Sequence, residues 1–197
     1  MVLESLIPAL EAKISGGPLP SHIRAIDAEG IAHVKLIDAT PIGINVRSTV
    51  ATYAGVHDEL RKLFAKSADA KARGYKASDF SYNTGSLRCP GCDGTGEVSL
   101  DVQFLPDVNI PCPDCRGSRY ARAAYEVKMA NKGGAAVSLP ELMDMDVNSA
   151  MDFCREMKAV SPRLGILKQL GLGYLTLGEE TPSLSGGEAQ RLTLASE

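Results

Sequence analysis

Cys89-Pro90-Gly91-Cys92 and Cys112-Pro113-Asp114-Cys115 are two Cys-x-x-Cys turns with nineteen residues between them. Such a turn aims two sulfurs at one point, and two turns joined by a hairpin bring four thiolates into a tetrahedron. The spacing predicts a closed structural zinc site with Cys89, Cys92, Cys112 and Cys115 as ligands. A closed site has no open coordination position, so its metal organises the fold and does no chemistry.

The surrounding residues agree. Asp93-Gly94-Thr95-Gly96 follows the first pair and Arg116-Gly117-Ser118 the second. Glycine admits the positive φ of a tight knuckle and lets backbone N–H groups approach sulfur. Val98, Leu100, Val102 and Phe104 alternate with polar residues, which predicts a strand. Leu105-Pro106-Asp107 reads as a turn and Val108-Asn109-Ile110 as a returning strand. Two disulfides, or iron bound in the rubredoxin manner, are the alternatives. Paired knuckles without a secretory context favour zinc.

The N-terminus, Met1-Val2-Leu3-Glu4, lacks the basic region, apolar run and small-residue cleavage site of a signal peptide. No apolar run is long enough to span a membrane. The expectation is a cytoplasmic protein whose thiols stay reduced. Cys154, among Met151, Phe153 and Met157, reads as a buried apolar thiol. The 197 residues can bury one core plus a small module. With a net charge of −3, nucleic-acid binding must be local, and the absence of tryptophan argues against a stacking platform for single strands.

Three regions are expected: a partial core with connecting helices over 1–88, a metal module over 89–120, and a helical region over 121–197. In the first, apolar spacing predicts a helix from Val2 to Ile14, ended by Gly16-Gly17-Pro18. A strand at Ala32–Ile37 and a helix at Tyr53–Lys66 follow, then a loop from Gly74 to Leu87. In the third, a strand at Ala124–Met129 leads to a loop at Asn131-Lys132-Gly133-Gly134. A helix follows at Val147–Ala159, and Ser161-Pro162 opens another, with serine as N-cap and proline at the first helical position, that Gly171 closes. The fold class is mixed α/β.

Residues 61–76 set six bases (Arg61, Lys62, Lys66, Lys71, Arg73, Lys76) against the single acid Asp69, a net +5. Arg47 and Arg88 could join them. Such a stripe can neutralise DNA phosphates without reading bases, or serve as a solvated helix face. The cysteine hairpin is itself acidic, with Asp93, Glu97, Asp101, Asp107 and Asp114 against Arg116 and Arg119, and reads as a positioner of its flanks.

Leu184-Ser185-Gly186-Gly187-Glu188-Ala189-Gln190-Arg191 carries a phosphate signal. Ser185 and Glu188 fit a Ser-x-x-Glu capping box, and two glycines bare the first-turn amides of the helix that follows.

That string resembles the ABC-ATPase signature in the form seen in the UvrA family of bacterial excinuclease proteins. Asp38-Ala39-Thr40-Pro41-Ile42-Gly43 is similar to the family's Asp-Gln-Ser-Pro-Ile-Gly, and Ala51-Thr52-Tyr53-Ala54-Gly55-Val56 to its Ala-Thr-Tyr-Thr-Gly-Val. Arg73-Gly74-Tyr75, Phe80-Ser81-Tyr82-Asn83, Phe104-Leu105-Pro106-Asp107-Val108 and Gly171-Leu172-Gly173-Tyr174 continue the match in family order.

The resemblance covers nearly all of the chain. It implies part of the second nucleotide-binding half: a partial ABC-ATPase domain with a signature helical region and an inserted zinc-finger β-hairpin. It implies zinc on the four cysteines. Ser185, Gly186, Gly187 and Glu188 would close over ATP held by another core. A second UvrA subunit, the UvrB helicase-like partner and double-stranded DNA are the implied partners, in the repair of damaged DNA by nucleotide excision.

No Gly-x-x-x-x-Gly-Lys-Ser/Thr loop and no apolar strand ending in Asp-Glu is found in the sequence. The family places the first just before Val2 and the second shortly after Glu197, so this polypeptide alone is expected not to hydrolyse ATP. Ala39 replaces the family glutamine that senses the γ-phosphate, and Ile44 stands where arginine is frequent. These departures keep open a UvrA-like paralogue in drug resistance. The Cys-x-x-Cys-x-Gly-x-Gly knuckle is also similar to that of J-domain co-chaperones, which leaves a zinc-stapled protein-binding module as a third class.

Overall fold

A computed structural model describes residues 1–36, 45, 47–100 and 108–196. Residues 38–43, with Ala39, and Ile44 lie outside that set, as does the Leu105-Pro106-Asp107 turn. The chain forms two compact units, Met1–Asp38 and Ala39–Glu197.

In the first unit a π-helical turn, Val2–Leu6, runs into α1, Ile7–Ser15. Gly16 ends it in the left-handed conformation at φ 72°, where a side chain would be strained. The expected apolar face is largely uncovered: Leu3 and Leu6 are exposed and Ala9 is the buried residue. The strand expected at Ala32–Ile37 is not formed over residues 32–36, which carry no regular secondary structure. Residue 37 lies outside the described set.

Among the described residues the second unit is a mixed α/β core of short helices and two antiparallel hairpins. Helices α2 (Val50–Tyr53), α3 (Val56–Phe64) and α4 (Ala68–Arg73) come first. The single helix expected from Tyr53 is split, because Gly55 sits at φ 66° and serves as the N-cap of α3. Strands β1 (Glu97–Leu100) and β2 (Val108–Pro111) pair as Val98↔Ile110 and Leu100↔Val108, as the alternation predicted for Val98 and Leu100; Val102 and Phe104 lie outside the described residues.

The strand expected at Ala124–Met129 starts later. Arg122–Tyr125 is a helical turn, α5, and β3 covers Lys128–Ala130, paired with β4 (Ala136–Ser138) around the predicted Asn131–Gly134 turn. Helices α6 (Leu139–Met143), α7 (Val147–Phe153), α8 (Ser161–Gln169) and α9 (Gly186–Ala195) complete the unit. Helix α7 ends at Phe153, short of the Ala159 expected. Val160, not Ser161, caps α8, since the Ser161 amide already donates to the Met157 carbonyl at 2.9 Å. Gly171, at φ 73°, follows α8 as expected. Cys154 is fully buried, and burial pushes its thiol up to about 12.

The core gathers Leu60, Phe64, Phe80, Leu142, Leu164 and Leu177 around two buried phenols, Tyr82 and Tyr120. The Tyr120 hydroxyl donates to the Phe80 carbonyl (3.0 Å) and lies 2.8 Å from His57 Nε2. With its proton on the Phe80 carbonyl, the hydroxyl accepts from His57 Nε2–H. Burial first, then the charges of Arg61 and Arg119, lower the His57 pKa from 6.5 to about 3. A histidine whose folded pKa is depressed contributes stability that is complete above pH 6.5 and lost as pH falls towards 3. Urea melts at pH 7.5 and pH 5.0 should differ by about 2 kcal/mol from this group. His57→Gln should flatten that difference; an unchanged pH slope would assign the acid sensitivity elsewhere.

Candidate metal centre and anion-binding helix

The hairpin of β1 and β2 carries both cysteine turns at its open end. The Sγ atoms of Cys89, Cys92, Cys112 and Cys115 lie within 4.8 Å of one another, and all four residues are buried. Cys89 and Cys112 sulfurs are 3.9 Å apart, and those of Cys92 and Cys115 3.7 Å. All are free thiols, so the disulfide alternative is not realised. Four sulfurs about 2.3 Å from a central zinc ion would stand about 3.8 Å apart, so the cluster fits a tetrahedral cation.

The backbone is bent to serve this cluster. Asp93, Gly94, Gly96, Arg116 and Gly117 all have positive φ, three of them at the predicted glycines. The Gly96 amide donates to Cys92 Sγ at 3.3 Å. Burial raises the Cys89 thiol and pushes Cys115 up to about 12. At Cys92 burial also raises, but donors led by the Gly96 amide outweigh it and the thiol is lowered. Buried thiols that resist ionisation need a cation to become thiolates, which is the chemistry a metal supplies.

The knuckles are stitched to the core. Cys89 N–H donates to the Arg119 carbonyl and Ala121 N–H to the Leu87 carbonyl, each at 2.9 Å. Arg119, itself at φ 71°, is 3% exposed. Its guanidinium lies 5.3 Å from the Tyr82 ring centre and forms an ion pair with Glu180, five residues before Ser185. Sequence reasoning counted Arg119 only as a charge of the hairpin. Nothing local to either residue signals a pair 61 positions apart.

The basic residues are dispersed. Arg47 and Arg88 both reach Asp93, at 3.6 and 2.9 Å. Arg61 pairs with Asp58, Lys62 with Glu59, and Arg73 with Glu126. Lys71 and Lys76 are exposed, and among the described residues no acid lies within ion-pair distance of either.

Helix α9 opens as the sequence predicted. Ser185 is its N-cap, and the Ser185 amide and hydroxyl both donate to Glu188 Oε2 at 2.7 Å. Gly186 and Gly187 are the first two helical residues, so their amides have no carbonyl one turn back.

No family model matches the chain. Curated relatives do. Over 191 residues it is 41% identical to the UvrABC system protein A of Thermus thermophilus, a match covering 95% of this chain and 19% of that protein. Identity to the Helicobacter pylori protein of the same name is 37%, over all of this chain and 21% of the relative. The crystal structure of UvrA2 from Deinococcus radiodurans superposes with a TM-score of 0.72 and 43% identity, covering 81% of this chain and 19% of that one. Along nearly its whole length the chain is similar to UvrA proteins. It spans about a fifth of the length of the UvrA relatives it matches. The UvrA likeness runs through both the cysteine hairpin and the helical region, since the matched residues cover nearly the whole sequence.

Proposed function

We propose that this chain is the zinc-stapled, signature-bearing part of a UvrA-type ATPase that recognises damaged DNA in cytoplasmic nucleotide excision repair. In this reading it lies in the second nucleotide-binding half. Cys89, Cys92, Cys112 and Cys115 hold zinc, and residues 89–120 form the metal module between a partial ATPase core and the signature region. Ser185, Gly186, Gly187 and Glu188 face the phosphates of ATP held by another ATPase core, in the same protein or in a second UvrA subunit. Double-stranded DNA and UvrB are the partners of the assembled protein.

The observation that carries the ATP assignment is the glycine pair. Neither Gly186 nor Gly187 has a positive φ, and a Cβ built on either meets nothing within 4 Å. The fold does not need glycine at these positions, and glycine in a helix costs about 1 kcal/mol relative to alanine. Close approach by an outside group to the first-turn amides accounts for both, and an anion is the group those amides suit.

Lys71 and Lys76 are the DNA contacts the ion-pair pattern favours. Arg47, Arg61, Lys62, Arg73 and Arg88 would first have to leave an acid. Lys71→Ala and Lys76→Ala should each weaken duplex binding uniformly across sequences and lower the salt slope by about 1. Unchanged slopes in both variants would remove this face from the DNA interface. A UvrA-like paralogue in drug resistance is favoured by one feature, Ala39 at the family's glutamine. Indifference of binding to a lesion in the duplex would select it.

A further inference from the structure

Ser185 cannot offer its hydroxyl to a phosphate while it donates to Glu188. Both the hydroxyl proton and the Ser185 amide are spent on one oxygen, Oε2. If the hydroxyl turned away, the carboxylate would lose a donor just as an anion arrived beside it. The other oxygen, Oε1, accepts a hydrogen bond from the Tyr174 hydroxyl, on the loop that follows α8. Tyr174 is half exposed, and nothing else described in the fold requires that phenol.

The geometry points to Tyr174 as a positioning residue of the signature: its hydroxyl holds the Glu188 carboxylate in place while the Ser185 hydroxyl passes from Glu188 to a phosphate oxygen. The inference rests on the ATP reading above and names a residue that reading does not use. Tyr174 touches no phosphate. It acts through Glu188, and it lets the helix cap survive when Ser185 changes acceptor.

The charges support the assignment. The hydrogen bond from Tyr174, then those from Ser185, lower the Glu188 carboxyl from 4.5 to about 2, with Arg191 adding a smaller effect. The reciprocal effect raises the Tyr174 phenol, chiefly through Glu188, with Glu179 adding to it and Arg191 opposing. Glu188 therefore stays ionised throughout the neutral range, and its charge has to be held by donors rather than by a proton.

Tyr174→Phe keeps the ring and removes only the hydroxyl. Carbon NMR of the Glu188 carboxyl during acid titration, and amide shifts of Gly186 and Gly187 during titration with inorganic triphosphate at pH 7, provide two separate readouts. In the variant the Glu188 midpoint should rise from about 2 towards 4.5. The triphosphate concentration that half-shifts the two amides should rise about threefold, with the thermal midpoint unchanged. An unaltered Glu188 midpoint, or an unaltered triphosphate response, overturns the positioning role. If triphosphate leaves Gly186 and Gly187 of the unmodified chain unmoved, the ATP reading fails and takes this role with it. The Glu188 midpoint then still reports whether the hydrogen bond exists, so the two failures are distinguishable.

Discussion

Cys92→Ser is expected to abolish metal binding and to unravel residues 89–120. Serine offers no thiolate, and three remaining sulfurs do not close a tetrahedral site. Metal binding by four thiolates is worth on the order of 10 kcal/mol in small zinc peptides, as much as the whole stability of an ordinary domain. The hairpin has little else to stand on: Leu100 and Val108 are exposed, and among the described residues only Val98 packs against the cysteines. The damage should also reach inward. Tyr120 lies just beyond the second turn, and its hydroxyl bridges His57 and the Phe80 carbonyl inside the core. Elemental analysis should find one zinc per unmodified chain and none in the variant, with rapid protease cleavage between 89 and 120. Chelation of the unmodified chain should reproduce the cleavage pattern. A variant that keeps stoichiometric zinc and native protease resistance would end the four-thiolate assignment.

Gly94→Ala should also be strongly destabilising, without removing a ligand. Gly94 sits at φ 78°, and a Cβ there would lie 1.7 Å from the Tyr82 carbonyl oxygen. That neighbour is backbone, so the clash can be relieved only by moving the first knuckle away from the core or by distorting the segment that carries Tyr82. The left-handed strain and the displacement together should cost about 3 kcal/mol or more, read by urea denaturation of the zinc-loaded protein. Gly165→Ala is the matched control. Gly165 lies inside α8 with nothing within 4 Å of its Cβ position, and the substitution should stabilise by about 1 kcal/mol. Equal effects from the two substitutions would mean that the close approach at Gly94 does not matter to the fold.

What the sequence made legible was local. Two cysteine turns need only their own spacing and glycines to be read, and the Ser185–Glu188 box is complete within four residues. The alternation that foretold β1 and β2 is likewise a property of one short ribbon. The misreadings came where a choice is made by distant partners or by one residue's conformation. Ala124 is drawn into a helical turn, and extended structure begins only at Lys128, whose pairing with Ser138 fixes the register. Gly55 breaks a helix whose apolar spacing alone runs through it. The Arg119–Glu180, His57–Tyr120 and Tyr174–Glu188 pairs join residues 61, 63 and 14 positions apart, and no periodicity announces them.

Arg119 belongs to two places at once. Its carbonyl fastens the first cysteine of the cluster, while its guanidinium grips the stretch that runs on to Ser185. The cysteine loop and the approach to α9 therefore share one rivet. Slack introduced on either side is felt on the other, so an injury to the sulfur cage becomes an injury to helix α9 as well.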